Sequence, residues 1–271
     1  MLGGYAPLLI EVDFAKPLTA EPHTVGFADS YIIPSSLDIP PYCYIENGQV
    51  TDLPVHKVAA SGRPTFWREG MAGQGFSHEN CLQQLTAQAV KFIAESQQPF
   101  SRRFTPPAPH TPHCPRPPFR GQKSDVWDGG HRVPFLARWP DRILAGSQTS
   151  ALICLTDLLV TVAALVGAQL PDHAGEDSVN NLPTLLEGKP VRDHGVSHSI
   201  VGEFALRRGP WKYVDCHGSG GWSSKDDPPT KQLYDMEHDA GEQRNRIADL
   251  PEMARALAVL LEQIRAGDRT R

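Results

Sequence analysis

Two adjoining stretches hold residues that could act on a charged substrate. PPAPHTPHCPRPPFRG (106–121) places His110 and His113 in a proline-rich loop, and QKSDVWDGGHRVPF (122–135) follows with Lys123, Asp128, His131 and Arg132 around Gly129-Gly130. Histidine passes protons and lysine neutralises developing negative charge, so each stretch resembles one wall of an active site. In loops such residues are more often simply solvated. His110 and His113 stand three apart, but no further ligand set accompanies them, so no metal is assigned there. Asp128, His131 and Arg132 are expected to stabilise their loop. Arg207, Arg208, Trp211 and Lys212 form a third group, expected to be strand residues whose cations snorkel to water. Cys43, Cys81, Cys114, Cys154 and Cys216 are five and scattered, which is neither a disulfide framework nor a zinc pair.

The elements that must position these groups are partly readable. Asn47-Gly48 in YCYIENGQVTDL lies between two β-prone runs and predicts a hairpin. Leu82, Leu85, Ala89, Phe92 and Ile93 recur at helical spacing behind a Ser77 cap. Ser101-Arg102-Arg103 makes a poor buried strand where one should feed the proline-rich loop. VPFLARWP (133–140) reads as a short strand, and LTDLLVTVAALVG (155–167) as a helix with a glycine stop. From about 196, SHSIVGEFALRRGPWKYV and KQLYDM predict three or four short antiparallel strands. A final amphipathic helix carries Met253, Leu257, Leu260, Leu261 and Ile264 on one face.

The chain has 271 residues, 40% hydrophobic and 21% charged, with a net charge of -5. That composition suits a globular protein and supplies no basic stripe for nucleic acid. No apolar run reaches membrane-spanning length, and MLGGYAPLLIEVDF lacks a signal peptide's basic start and cleavage site, which leaves localisation unknown.

Six phrases occur in an order that resembles the sulfatase family, in particular bacterial enzymes similar to arylsulfatase A and N-acetylgalactosamine-6-sulfatase. They are VGFADSYIIPSSLDIPPYCYIENGQV, PPAPHTP, GQKSDVWDGGHRVPFLARWPDRILAG, TDLLVTVAALVGAQLP, RRGPWKYV and LYDMEHDAGEQRN. The resemblance implies an alkaline-phosphatase-like α/β fold, here incomplete, with a small C-terminal antiparallel sheet plus helix. The expected division is a partial α/β domain at 1–195 and a C-terminal subdomain at 196–271. By the same resemblance His110 and Lys123 match the positions that bind the sulfate and assist its leaving oxygen.

Intact relatives use a formylglycine, made from the Cys or Ser of a C/S-x-P-S-R motif, and a calcium ion held by two N-terminal aspartates and a later Asp-Asn pair. None of the five cysteines is followed by that motif, and no serine supplies it. The paired aspartates are missing as well. Glu46-Asn47-Gly48 imitates the Asp-Asn-Gly ligand run but belongs to the hairpin. The expectation is therefore that neither cofactor is retained and that no metal is bound. At Phe119-Arg120-Gly121 the proline-rich loop runs straight into the lysine signature, which implies an internal deletion near 120–123 and a start downstream of the family's N-terminus. The resulting expectation is a chain of sulfuric ester hydrolase type without catalytic competence. The alternative is a binding module for sulfated carbohydrate, another sulfate ester or a protein partner. Phosphodiester cleavage by a relative of the fold would equally need the missing metal site and nucleophile.

Overall fold

The computed structural model describes residues 12–62, 66–97, 100, 102–106, 118–223 and 231–267. His110, His113 and Cys114 lie outside them. The chain forms two compact units, 1–113 and 114–271.

In the first unit a 3-10 turn (Pro22–Val25) precedes β1 (Tyr31–Ile32), β2 (Ile45–Glu46) and β3 (Gln49–Val50), an antiparallel sheet in that order. Asn47 and Gly48 sit at φ 48° and 82° between β2 and β3, the two left-handed residues that a tight hairpin turn requires. The Glu46-Asn47-Gly48 run thus ends no core strand; Asn47 Oδ1 instead accepts the Ser30 amide at 2.7 Å. A second antiparallel pair joins β4 (His56–Val58) to β5 (Gly70–Ala72). The helix α1 (Cys81–Glu95) follows, burying Cys81, Leu85 and Ala89. It begins three residues later than a Ser77 cap implies, at Asn80, and Ser77 Oγ accepts the Asn80 amide in the turn before it. Tyr44, Cys81 and Leu85 form the core of this unit, with Tyr31, Ile33, Leu37 and Phe76 packed around it. Residues 102–106 form no strand, and the Arg102 guanidinium rests over the Phe92 ring at 4.5 Å.

In the second unit α2 (Asp128–His131), α3 (Asp157–Val166) and α4 (Leu182–Glu187) precede β6 (His194–His198), β7 (Phe204–Arg208), β8 (Trp211–Asp215), β9 (Gln232–Asp235) and α5 (Pro251–Ala266). Gly167 stops α3 in the left-handed conformation. Residues 133–139 form no regular element and pair with no strand, and Val133, Phe135 and Leu136 are exposed. A β-prone sequence is not enough, because a strand needs a neighbour to bond to. The four-stranded sheet is antiparallel in the order β6-β7-β8-β9.

Period-two alternation divides that sheet into two buried faces. Leu206, Tyr213 and Leu233 pack on Ala254, Leu257 and Leu261 of α5. Ala205, Val214 and Tyr234 face the other way and pack on Val126 and Trp127, with Cys216 and Met236. The segment that carries the lysine signature is therefore the cover of the sheet's second face.

Candidate functional site

Three polar anchors hold that cover. The first is Arg120, whose guanidinium lies 3.7 Å from the Trp127 ring centroid and donates to Tyr234 Oη at 3.2 Å and to the Glu242 carbonyl at 2.9 Å. The junction arginine is thus fixed to residues more than a hundred positions away. The second is Asp125, fully buried, which accepts the Gln122 amide at 2.8 Å and the Ser223 amide at 3.1 Å, together with the Ser223 hydroxyl. The third is Asp128 at the start of α2. The Lys212 ammonium lies 2.8 Å from Asp128 and 2.7 Å from Glu242, while Glu242 also accepts the Asp128 amide at 2.7 Å.

Lys212 therefore does not snorkel. Its side chain is 3% exposed, because the face of β8 that would look onto water in a one-sided sheet is covered by 126–128. Arg207, on the same face, approaches Asp128 at 3.8 Å, and Arg132 approaches it at 3.6 Å. Burial would raise the Asp128 carboxyl, but Lys212, Arg207 and Arg132 outweigh it and hold the group below the ordinary range. Burial pushes Glu242 up despite Lys212, with Asp128 adding repulsion. Arg208 instead pairs outward with Asp193 at 3.0 Å.

The glycine pair of the signature has a steric reason. A Cβ on Gly129 would stand 2.3 Å from the Gly121 carbonyl and 2.5 Å from that of Arg120, and one on Gly130 would stand 2.5 Å from the Asp125 carbonyl. The first turn of α2 is pressed against the chain that leads to Lys123.

Lys123 itself is exposed and makes no ion pair among the described residues. Its ammonium stands 5.8 Å from the Trp222 ring centroid, at the outer limit of a cation–π contact. Trp222 lies on the loop that Asp125 anchors; the Trp222 amide donates to Ser124 Oγ at 3.1 Å, and the Val126 amide to the Ser219 carbonyl at 2.8 Å. The sequence signature pointed to Lys123 but not to Trp222. The one available signal was a tryptophan inside HGSGGWSS, a run too rich in glycine and serine to need one for packing. His131 closes α2, and the structure brings no second sequence-expected site residue beside Lys123 among the described residues.

Among the described residues the thiols are buried or half-buried and the buried carboxylates are engaged. The Cys43 and Cys216 thiols are pushed by burial to about 11 and about 12, and Cys81 and Cys154 are raised by the same cause. No group of three or more His, Cys, Asp or Glu suited to a metal occurs among the described residues. The buried carboxylates of Asp125, Asp128, Asp157 and Glu242 are already engaged by backbone amides or cations.

No family model matches the chain. Among curated proteins it is 33% identical over 160 residues to the N-acetylgalactosamine-6-O-sulfatase of Bacteroides thetaiotaomicron, covering 56% of this chain and 31% of that protein. It is 32% identical over 169 residues to arylsulfatase G of Canis lupus familiaris, covering 55% and 31%. Arylsulfatase A of Bos taurus is 35% identical over 153 residues, covering 49% and 29%. The chain thus spans about a third of the length of the curated relatives it matches. A solved structure from work on the metabolism of multiple glycosaminoglycans by Bacteroides thetaiotaomicron superposes with a TM-score of 0.73 at 20% identity, over 94% of this chain and 76% of that one. The chain is a homologue of the sulfatases and has their alkaline-phosphatase-like α/β fold, with a small C-terminal antiparallel sheet and helix.

Proposed function

We propose that these 271 residues bind a sulfated carbohydrate through Lys123 and do not by themselves hydrolyse it. The observation that carries the reading is the position of Lys123. It is an exposed cation without an ion-pair partner among the described residues, in a loop whose next residues are tied down by Asp125 and Asp128. An ammonium carried on an anchored backbone gives a sulfate group a charge-assisted hydrogen bond. His110, which lies outside the described residues, is the second position that the resemblance assigns to the sulfate.

Hydrolysis needs an attacking group, and electrostatic helpers only accelerate a reaction that has one. The chain's cysteines lack the C/S-x-P-S-R context, and the four described are buried or half-buried with raised thiols. The proposal includes the division at 1–195 and 196–271 and an internal loss near 120–123. The N-acetylgalactosamine-6-O-sulfatase likeness supplies the first sugar to try.

The test is calorimetric titration of the full chain with N-acetylgalactosamine 6-sulfate and with N-acetylgalactosamine. The sulfated sugar should bind more tightly, and Lys123→Met should abolish the difference, with no sulfate released on prolonged incubation. Equal affinity for the two sugars would sink the reading, and sulfate release would sink its second half.

A further inference from the structure

We infer that Trp222 is the stacking platform of a sugar subsite, one that recognises the ring of the carbohydrate whose sulfate Lys123 holds. The inference rests on the reading above and adds to it a residue outside the lysine signature.

Trp222 is 53% exposed, whereas Trp127, on the anchoring segment, is 2% exposed and donates its indole N–H to Gln232 Oε1 at 2.9 Å. One tryptophan builds the core and the other does not. Yet the backbone under Trp222 is held as firmly as a core loop. Its own amide is bonded to Ser124, the next amide to Asp125, and Gly221 packs so closely that a Cβ would stand 2.5 Å from both Asp125 Oδ1 and the Ser124 carbonyl. Ser124, between Lys123 and Asp125, has a φ of 88°, a conformation that costs a residue with a side chain about 1–3 kcal/mol. The anchors that hold the cover on the sheet thus also fix the backbone beneath an exposed indole and an exposed ammonium.

The pair suits one chemical class. The C–H face of a pyranose covers an aromatic ring, its hydroxyls remain at the edge, and a sulfate substituent reaches a cation. The indole N–H donates to no group among the described residues and is available to a sugar hydroxyl. An aromatic carried on a backbone that is fixed before binding contributes affinity at a reduced entropic cost.

The full-length chain, Trp222→Ala, Trp222→Phe and Lys123→Met would each be titrated with N-acetylgalactosamine 6-sulfate, with circular dichroism and thermal unfolding as the check on folding. Trp222→Ala should weaken binding by about tenfold or more and leave the unfolding transition in place, whereas Trp222→Phe should keep most of the affinity. Sugar binding by Trp222→Ala equal to that of the parent chain, with Lys123→Met still defective, would overturn the platform while leaving the sulfated-carbohydrate reading intact. Failure of the parent chain to bind the sugar would overturn both.

Discussion

At the residue scale the decisive group is Lys212, because its single ammonium serves two carboxylates in a space closed to water. Asp128 and Glu242 are held on either side of it, at 2.8 and 2.7 Å. Replacing one partner of a buried ion pair leaves the other charge uncompensated, at a cost of about 3–5 kcal/mol. Lys212→Met should therefore destabilise the second unit by that amount, read as a fall in the urea midpoint at neutral pH. Glu242→Gln keeps a hydrogen-bonding side chain and leaves Lys212 paired with Asp128, so its loss should be smaller. If both substitutions cost the same, the pairing with Asp128 contributes nothing of its own. Lysine at this position looks surface-bound in the sequence, since alternation along WKYVD puts it opposite Tyr213. What reverses that reading is a cover whose Asp128 lies 84 residues earlier, which no local pattern announces.

At the element scale, the sheet is fixed by short-range signals and its cover by long-range ones. The Asn47-Gly48 hairpin, the Gly167 stop of α3, the four C-terminal strands and the amphipathic α5 were all legible, because turn chemistry and periodicity act within a few residues. The strand expected at 133–140 was not a strand, because pairing depends on a partner that the window does not contain. Lys123 could be named from its signature, whereas Trp222 depends on the fold bringing residues 123 and 222 together. The contact between α2 and the Arg120–Gly121 backbone gives the element-scale prediction. Gly129→Ala would drive a methyl to within 2.3 Å of a carbonyl oxygen, and backbone cannot yield as a flexible side chain can. A loss of about 1–3 kcal/mol is expected from overpacking, together with weakened sulfated-sugar binding, since the same backbone leads to Lys123. An unchanged unfolding midpoint would mean that α2 can lift from the sheet without cost.

At the scale of the whole molecule, stability should depend on pH through Asp157, the carboxylate that closes residues 177–194 onto α3. It accepts the Cys154 and Val179 amides at 2.8 and 2.9 Å and the Asn181 side chain at 2.7 Å, and it pairs with Arg192, which also bonds the Asp177 and His194 carbonyls. Burial would raise this carboxyl, but Arg192 and the two amides hold it below the ordinary range. The unfolded chain, with an ordinary aspartate near about 3.9, then binds the proton at a higher pH than the folded chain does. The stabilisation is present above that unfolded value and is lost as pH falls through the folded one. Urea midpoints of the full chain should accordingly drop below about pH 4, and Asp157→Asn should flatten that acid limb while lowering the midpoint at neutral pH.

The same unit exposes large apolar side chains: Leu136 is 94% exposed and Leu144 81%, and Leu159, Val162, Leu165 and Val166 of α3 are exposed as well. A net charge of -5 opposes association only weakly, so these side chains should bind a hydrophobic dye and drive concentration-dependent self-association. Neither Leu136 nor Leu144 belongs to a core cluster, so the double substitution Leu136→Asp and Leu144→Lys should leave the unfolding transition where it is. Light scattering of the two chains at matched concentrations, with dye fluorescence alongside, decides the point. Reduced scattering and dye binding at an unchanged transition would assign the association to Leu136 and Leu144. Undiminished scattering would place its source elsewhere on the molecule.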